Sequence, residues 1–236
     1  MRITVFALLA FALAGTVHAQ DKKRETIEGN GKMITREVPV TSFDALKASG
    51  VYELKLTQGN QESVKIEADE NLQEYFNVRN EGNKLVIDMK KLENKNLNSK
   101  NKMKVYVSFN KLKAMELGTV GNVGSDQQLT FDDIDMSNKS VGNVDLKFTA
   151  KKLDLKNTSV GNVKLSGRAQ DAVVKNSGVG SLQAGSFVVQ TMNIENTGVG
   201  SAEVNAEKDL KVKDSFLGHV KNRGSAPVRK MNKVRV

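Results

Sequence analysis

Val120-Gly121-Asn122-Val123, Val141-Gly142-Asn143-Val144 and Val160-Gly161-Asn162-Val163 are three copies of one phrase, and looser copies follow around Gly180, Gly200 and Gly218. The six glycines are separated by 21, 19, 19, 20 and 18 residues. A fixed period of about twenty residues marks a solenoid of stacked supersecondary units.

Aligned on the glycines, the copies assign a role to each position. The residue before each glycine (Val120, Val141, Val160, Val179, Val199, Leu217) reads as an apolar wall facing the core. On that reading Val160→Asp buries an unpaired charge and is severely destabilising. Two residues after the glycine come Val123, Val144, Val163, Leu182, Ala202 and Val220, and two further on Leu146, Leu165, Ala184 and Val204. A third column runs Met115, Met136, Leu155, Val174, Ile194, Val212, preceded at period two by Ile134, Leu153, Val173, Met192 and Leu210. Period two is strand spacing. Parallel strands joined through a helix need a crossover of roughly a dozen residues or more, which coils this short cannot hold, so strands of successive coils lie directly over one another. The predicted fold is an all-β, right-handed parallel β-helix.

Two polar columns agree with that register. Asn138, Asn157, Asn176 and Asn196 share one position, continued by Asp214, and predict a ladder of stacked amides at a corner of the coil. Asn122, Asn143, Asn162, Ser181, Ser201 and His219 directly follow the glycines. Glycine and asparagine tolerate the left-handed turn conformation, so these positions read as corners and not as a row of ligands, His219 included.

The chain has 236 residues, no cysteine and no tryptophan. Residues 1–19 read as a signal peptide: Met1-Arg2, an apolar run from Ile3 to Ala14, and a small-x-small site ending at Ala19, with Gln20 as the mature N-terminus. The run is too short to span a membrane. Residues 20–35 read as a flexible tether and 36–228 as a single β-helix domain, with irregular first coils over 36–113 and regular repeats over 114–228. Residues 229–236 form a basic tail. Phe43, Tyr52, Phe76 and Tyr106 are expected as core or capping aromatics, and a helical turn is expected within Glu70 to Phe76.

The phrase Ser42-Phe43-Asp44-Ala45-Leu46, then Ser49-Gly50-Val51, Leu54-Lys55-Leu56-Thr57-Gln58-Gly59, Val64-Lys65-Ile66 and the later Val-Gly-Asn/Ser repeats resemble the putative auto-transporter adhesin head GIN domain, a family of exported Bacteroidetes proteins. The resemblance spans about Val38 to Val228. It implies a right-handed β-helix in the cell envelope with an adhesive role, and brings no catalytic residues.

Basic charge is concentrated in two places. Lys90 to Lys113 holds eight lysines and one acid, and Lys208 to Val236 nine basic residues and two acids, +7 each. Lys90, Lys91, Lys95, Lys100, Lys102 and Lys104, with Arg229, Lys230, Lys233 and Arg235, form the candidate patch for an anionic partner, a glycan or an envelope surface. The other reading is a solvated end that blocks edge-to-edge pairing of the solenoid. Apart from Tyr106 and Phe109, whose placement marks them as strand residues, no aromatics interleave with the lysines as base-stacking platforms, which argues against nucleic acid. Parallel β-helices that act on polysaccharides need clustered carboxylates. Of the best candidates, Asp132, Asp133, Asp135 and Asp154, register stacking puts Asp154 about 4.8 Å from Asp135, while Lys151 and Lys152 fall over Asp132 and Asp133, the pattern of cross-coil neutralisation. With two histidines, one of them in the leader, no metal site and no cofactor are expected. The sequence therefore reads as an exported, non-enzymatic β-helix: an adhesin or binding module of the cell envelope, alternatively a structural scaffold that binds another envelope protein, with a polysaccharide-acting enzyme as the third reading.

Overall fold

The computed structural model describes residues 24–215 and 217–231. The expected leader, the cleavage point at Gln20, and Lys233 and Arg235 lie outside the described residues. Four long strands carry the repeats: Val144–Asn157, Val163–Asn176, Leu182–Asn196 and Ala202–Asp214. Each pairs in parallel with the next, so that Val144, Val163, Leu182 and Ala202 stack, as do Asn157, Asn176, Asn196 and Asp214. Pairing lapses at Lys151 and Gln170, where each strand bends from one face of the coil to the next. Short strands continue the stack at both ends, from Asp133–Asn138 above to Val220–Asn222 and Val228–Lys230 below.

Inward columns fill the coil. Val123, Val144, Val163, Leu182, Ala202 and Val220 are buried, as are Met115, Met136, Leu155, Val174, Ile194 and Val212. In the column beside them Ala172, not Val173, pairs with Leu153 and Met192 and faces inward. A further core column was not legible as a periodic feature: Phe109, Phe131, Phe148 and Phe187 follow one another with ring centroids 6.1, 5.6 and 4.7 Å apart. Phe148 and Phe187 are two coils apart, and Gly167 lies between them in register. The glycine leaves a space that the two rings close.

The valine column is on the outside. Val120, Val141, Val160, Val179 and Val199 are 48–52% exposed and Leu217 is 64% exposed, which corrects the expectation of an inward wall. Strand parity is the reason. Met115, Leu117, Thr119 and Val123 are all buried, so alternation runs unbroken through the turn and every second residue between them points out. The inward position beside the valine is filled by Thr119, Ser140, Ser159, Gly178 and Gly198 instead.

The first half of the chain builds a cap whose spatial order differs from its sequence order. Ala45–Gly50 and Glu53–Gln58 make one coil, sandwiched between Ala114–Thr119 and Val123–Ser125 on one side and Lys84–Asp88 and Lys104–Phe109 on the other. Beyond it the pairing turns antiparallel: Ser63–Asp69 joins Met33–Val38 to Lys104–Phe109, and Asn77–Glu81 forms a hairpin with Lys84–Asp88. A 3-10 helix occupies Glu70–Tyr75. Phe43, Tyr52 and Phe76 are buried, while Tyr106 is half-exposed and donates to Glu67 at 2.9 Å. Ordered structure begins earlier than Arg36: Thr26–Glu28 pairs in parallel with Asn96–Asn98, and Met33 opens a strand of the main sheet. The polar composition of 20–35 suggested a tether, but edge strands of a cap need not be apolar.

Candidate recognition surfaces

Each coil turns through the repeated phrase, and two sets of polar groups hold the turn. Inside, Asn138 donates to Asn157 at 2.8 Å, Asn157 to Asn176 at 2.7 Å and Asn176 to Asn196 at 2.6 Å, all buried. The hydroxyls of Ser140 and Ser159 donate to the same asparagine oxygens. Buried amides are normally paired, and the stack satisfies Asn138, Asn157 and Asn176 each through its neighbour. The ladder stops at Asn196, whose Nδ2 has no partner, because Asp214 in the next coil is taken by Lys230 at 2.6 Å. Outside, the side-chain oxygens of Asn122, Asn143 and Asn162 accept the backbone N–H of the residue one coil on, at 3.0–3.1 Å.

Gly121, Gly142, Gly161, Gly180 and Gly200 hold φ between +126° and +148°. A Cβ on Gly142, Gly161, Gly180 or Gly200 would also lie 2.3–2.6 Å from the carbonyl oxygen of the preceding glycine of the column. Gly218 departs from the pattern. Its φ is outside that region, its N–H returns to the carbonyl of Ser215 at 3.3 Å, and a Cβ there would meet Asn196 instead.

These ladders place the valines side by side at the tip of every coil, joined by parallel bridges from Val120 through Val199. Val51 begins the row, since Gly50 pairs with Thr119. Seven apolar residues thus form a ridge about 29 Å long at roughly 4.8 Å per step. From Val120 to Val199 its flanks carry Asn122, Asn143, Asn162, Ser181 and Ser201 on one side and Lys139, Thr158, Ser177 and Thr197 on the other, so this part of the ridge stands in a band with one charge, while the Glu53–Lys102 pair lies beside Val51.

The basic residues are distributed differently. Lys95 pairs with Glu25 at 2.9 Å, which raises its pKa, Lys102 with Glu53 at 3.3 Å and Lys104 with Glu67 at 3.5 Å. Lys91 donates to the carbonyl of Glu74 at 3.1 Å. Arg229 pairs with Asp209 at 2.8 Å and Lys230 with Asp214, whose carboxyl is held below the usual range chiefly by that lysine. Lys90 and Lys100 make no ion pair among the described residues. The carboxylates are neutralised one coil away in the same manner: Asp132 by Lys151 at 2.8 Å, which lowers its pKa, and Asp145 by Lys164 at 3.0 Å. Asp135 and Asp154 are neighbours in register with no cation between them. Among the described residues no group of three His, Asp or Glu stands close enough to hold a metal ion. His219 is exposed.

The family model described as "putative auto-transporter adhesin, head GIN domain" matches residues 42–226. The chain belongs to this family. Three solved structures share its fold. A putative adhesin from Bacteroides fragilis is 28% identical with a TM-score of 0.75, covering 87% of this chain and all of its own. A putative adhesin from Parabacteroides distasonis is 20% identical with a TM-score of 0.60, over 88% of this chain and 96% of its own. A second Parabacteroides distasonis protein, described as a putative lipid binding protein, is 18% identical with the same TM-score, over 88% of this chain and all of its own. Comparison with curated protein sequences finds no match. No helix of the described residues of this GIN-domain protein is long and apolar enough to cross a membrane.

Proposed function

We propose that this GIN-domain chain is an exported, non-enzymatic binding module of the cell envelope, an adhesin-like head that engages its partner along the valine ridge. The observation that supports it is the exposure of six valines and a leucine on seven successive coils, where a turn needs only small polar residues. A contiguous apolar strip of this kind marks an interaction site on a soluble domain. The signal-peptide pattern and the adhesin family are consistent with a partner outside the cytoplasm, an anionic glycan or envelope surface, or another envelope protein. Asp132 and Asp145 are neutralised by lysines one coil away and are not poised as an acid and a base, which favours binding over catalysis. The Lys90–Lys104 loop and the C-terminal basic cluster add salt-sensitive attraction over about 10 Å.

The test compares attachment to envelope and host surfaces for the Gln20–Val236 protein, the ridge variant Val141→Asp/Val160→Asp/Val179→Asp and the loop variant Lys95→Glu/Lys100→Glu/Lys102→Glu/Lys104→Glu. The ridge variant should lose attachment at every salt concentration and the loop variant only its salt dependence. Undiminished attachment of the ridge variant would remove the ridge from the proposal. The scaffold reading rests on the lower end of the stack, where Val220–Asn222 and Val228–Lys230 are the last strands among the described residues. It expects concentration-dependent assembly through that end, sensitive to Lys230, Lys233 and Arg235, and a protein that stays monomeric at all concentrations counts against it.

A further inference from the structure

Halfway round the coil from the ridge, the bend of the long strands is concave. Thr130, Thr149, Arg168 and Val188 stack in register along one wall. Asp132, Lys151, Gln170 and Gln190 stand along the other. Between them the inward-facing Phe131, Ala150 and Ala169 form a floor. The two alanines leave the walls standing above the floor, and the result is a groove of about 730 Å³ running along the solenoid axis across four coils. That volume lies within the range of ligand sites, which combine an apolar base with a few polar groups.

The walls carry unspent hydrogen-bonding capacity. The side chains of Gln128, Gln170 and Gln190 make no hydrogen bond to the protein among the described residues, and Arg168 makes neither an ion pair nor a hydrogen bond there. Its outward neighbours along the same face are committed: Lys164 to Asp145 and Arg223 to Glu203. Asp132 and Lys151 neutralise one another at the groove's edge, which leaves Arg168 as the uncompensated charge in the middle. Its fork suits a carboxylate or sulfate. Amides and hydroxyls repeating at about 4.8 Å per coil suit a polymer of hydroxylated units lying along the axis.

We infer that this groove binds a stretch of acidic polysaccharide, with Arg168 on an acidic group of the chain and Gln128, Gln170 and Gln190 on its hydroxyls. The inference rests on the reading of the protein as a binding module but not on the valine ridge. It is tested by titrating the Gln20–Val236 protein with a panel of acidic oligosaccharides (uronate, sulfated and sialylated, two to eight units) and their neutral counterparts. Longer acidic oligosaccharides should bind and dimers at least tenfold more weakly. Arg168→Gln should weaken binding at least tenfold and remove most of its salt dependence, and Thr149→Met, which fills the groove from an outward position, should weaken it comparably. Lys156→Gln, which removes a charge from another face, should have no effect, and thermal melts confirm that each variant is folded. Binding untouched by Arg168→Gln and Thr149→Met would overturn the groove while leaving the module intact. Absence of binding across the whole panel would overturn the inference even if attachment through the ridge persists.

Discussion

A methyl group on Gly161 would lie 2.3 Å from the carbonyl oxygen of Gly142, and the backbone there holds φ of +131°. Collision and conformation act together, so Gly161→Ala should cost about 3 kcal/mol, seen as a lower urea midpoint. The residue beside it behaves oppositely. Val160 is half-exposed at the tip of the turn, and Val160→Asp should change stability by no more than about 1 kcal/mol; a loss of several would mean the ridge is covered within the chain itself. Between the two lies the lesson of parity. Val160 and Val163 are both apolar but an odd number of residues apart, and an extended chain cannot turn both inward. Composition alone placed the valine in the core; counting alternation from Leu155 through Asn157 and Ser159 would have placed it outside. The asparagine column was legible because stacking in register demands the same residue at the same step. Asn157→Leu should cost about 2–4 kcal/mol, since it strands the amides of Asn138 and Asn176 as well as deleting its own.

At the scale of elements, the repeats were readable and the cap was not. Strands Val144–Asn157 to Ala202–Asp214 repeat one pattern, and each copy corroborates the others. The cap has no such redundancy, and its strands pair with partners far along the chain in both directions. Its hairpin, Asn77–Glu81 with Lys84–Asp88, holds the most buried ion pair: Arg79 lies 2.5 Å from Asp88, whose side chain is 3% exposed. Burial pushes the Asp88 carboxyl up, but the Arg79 guanidinium, the Lys90 amide and Asn77 outweigh it and hold the carboxyl below its ordinary value. A depressed carboxylate contributes its stability above the unfolded value of about 4 and loses it as pH falls through the folded one. Melting temperature should therefore fall below about pH 4 in the parent and fall less steeply in Asp88→Asn. Arg79→Ala should cost about 1–3 kcal/mol at neutral pH, discounted for the arginine's partial exposure. Parallel acid limbs in Asp88→Asn and parent would show that other carboxylates govern the acid transition.

For the whole molecule, a stack in which each coil touches mainly its neighbours has a stability close to a sum of coil and interface contributions. Removing residues 155–173 joins Asp154 to Val174, which occupies the step Leu155 vacates, since these two pair in register. The asparagine ladder then runs from Asn138 to Asn176 without a gap in kind. Phe148 comes to lie one coil from Phe187, rings already in contact across Gly167. The shortened chain should fold, with a cooperative transition and a denaturant m-value reduced roughly in proportion to its length. The same operation on Ala45–Gly50 and Glu53–Gln58 should abolish folding, because that coil is clamped between later segments on both sides and has no successor to take its step. If both deletions unfold the chain, the coils are specific to their places and the nearest-neighbour picture fails. If both fold, that coil is dispensable, and the edge of Ala114–Thr119 must be protected by some means other than the parallel strand Ala45–Gly50 now paired with it.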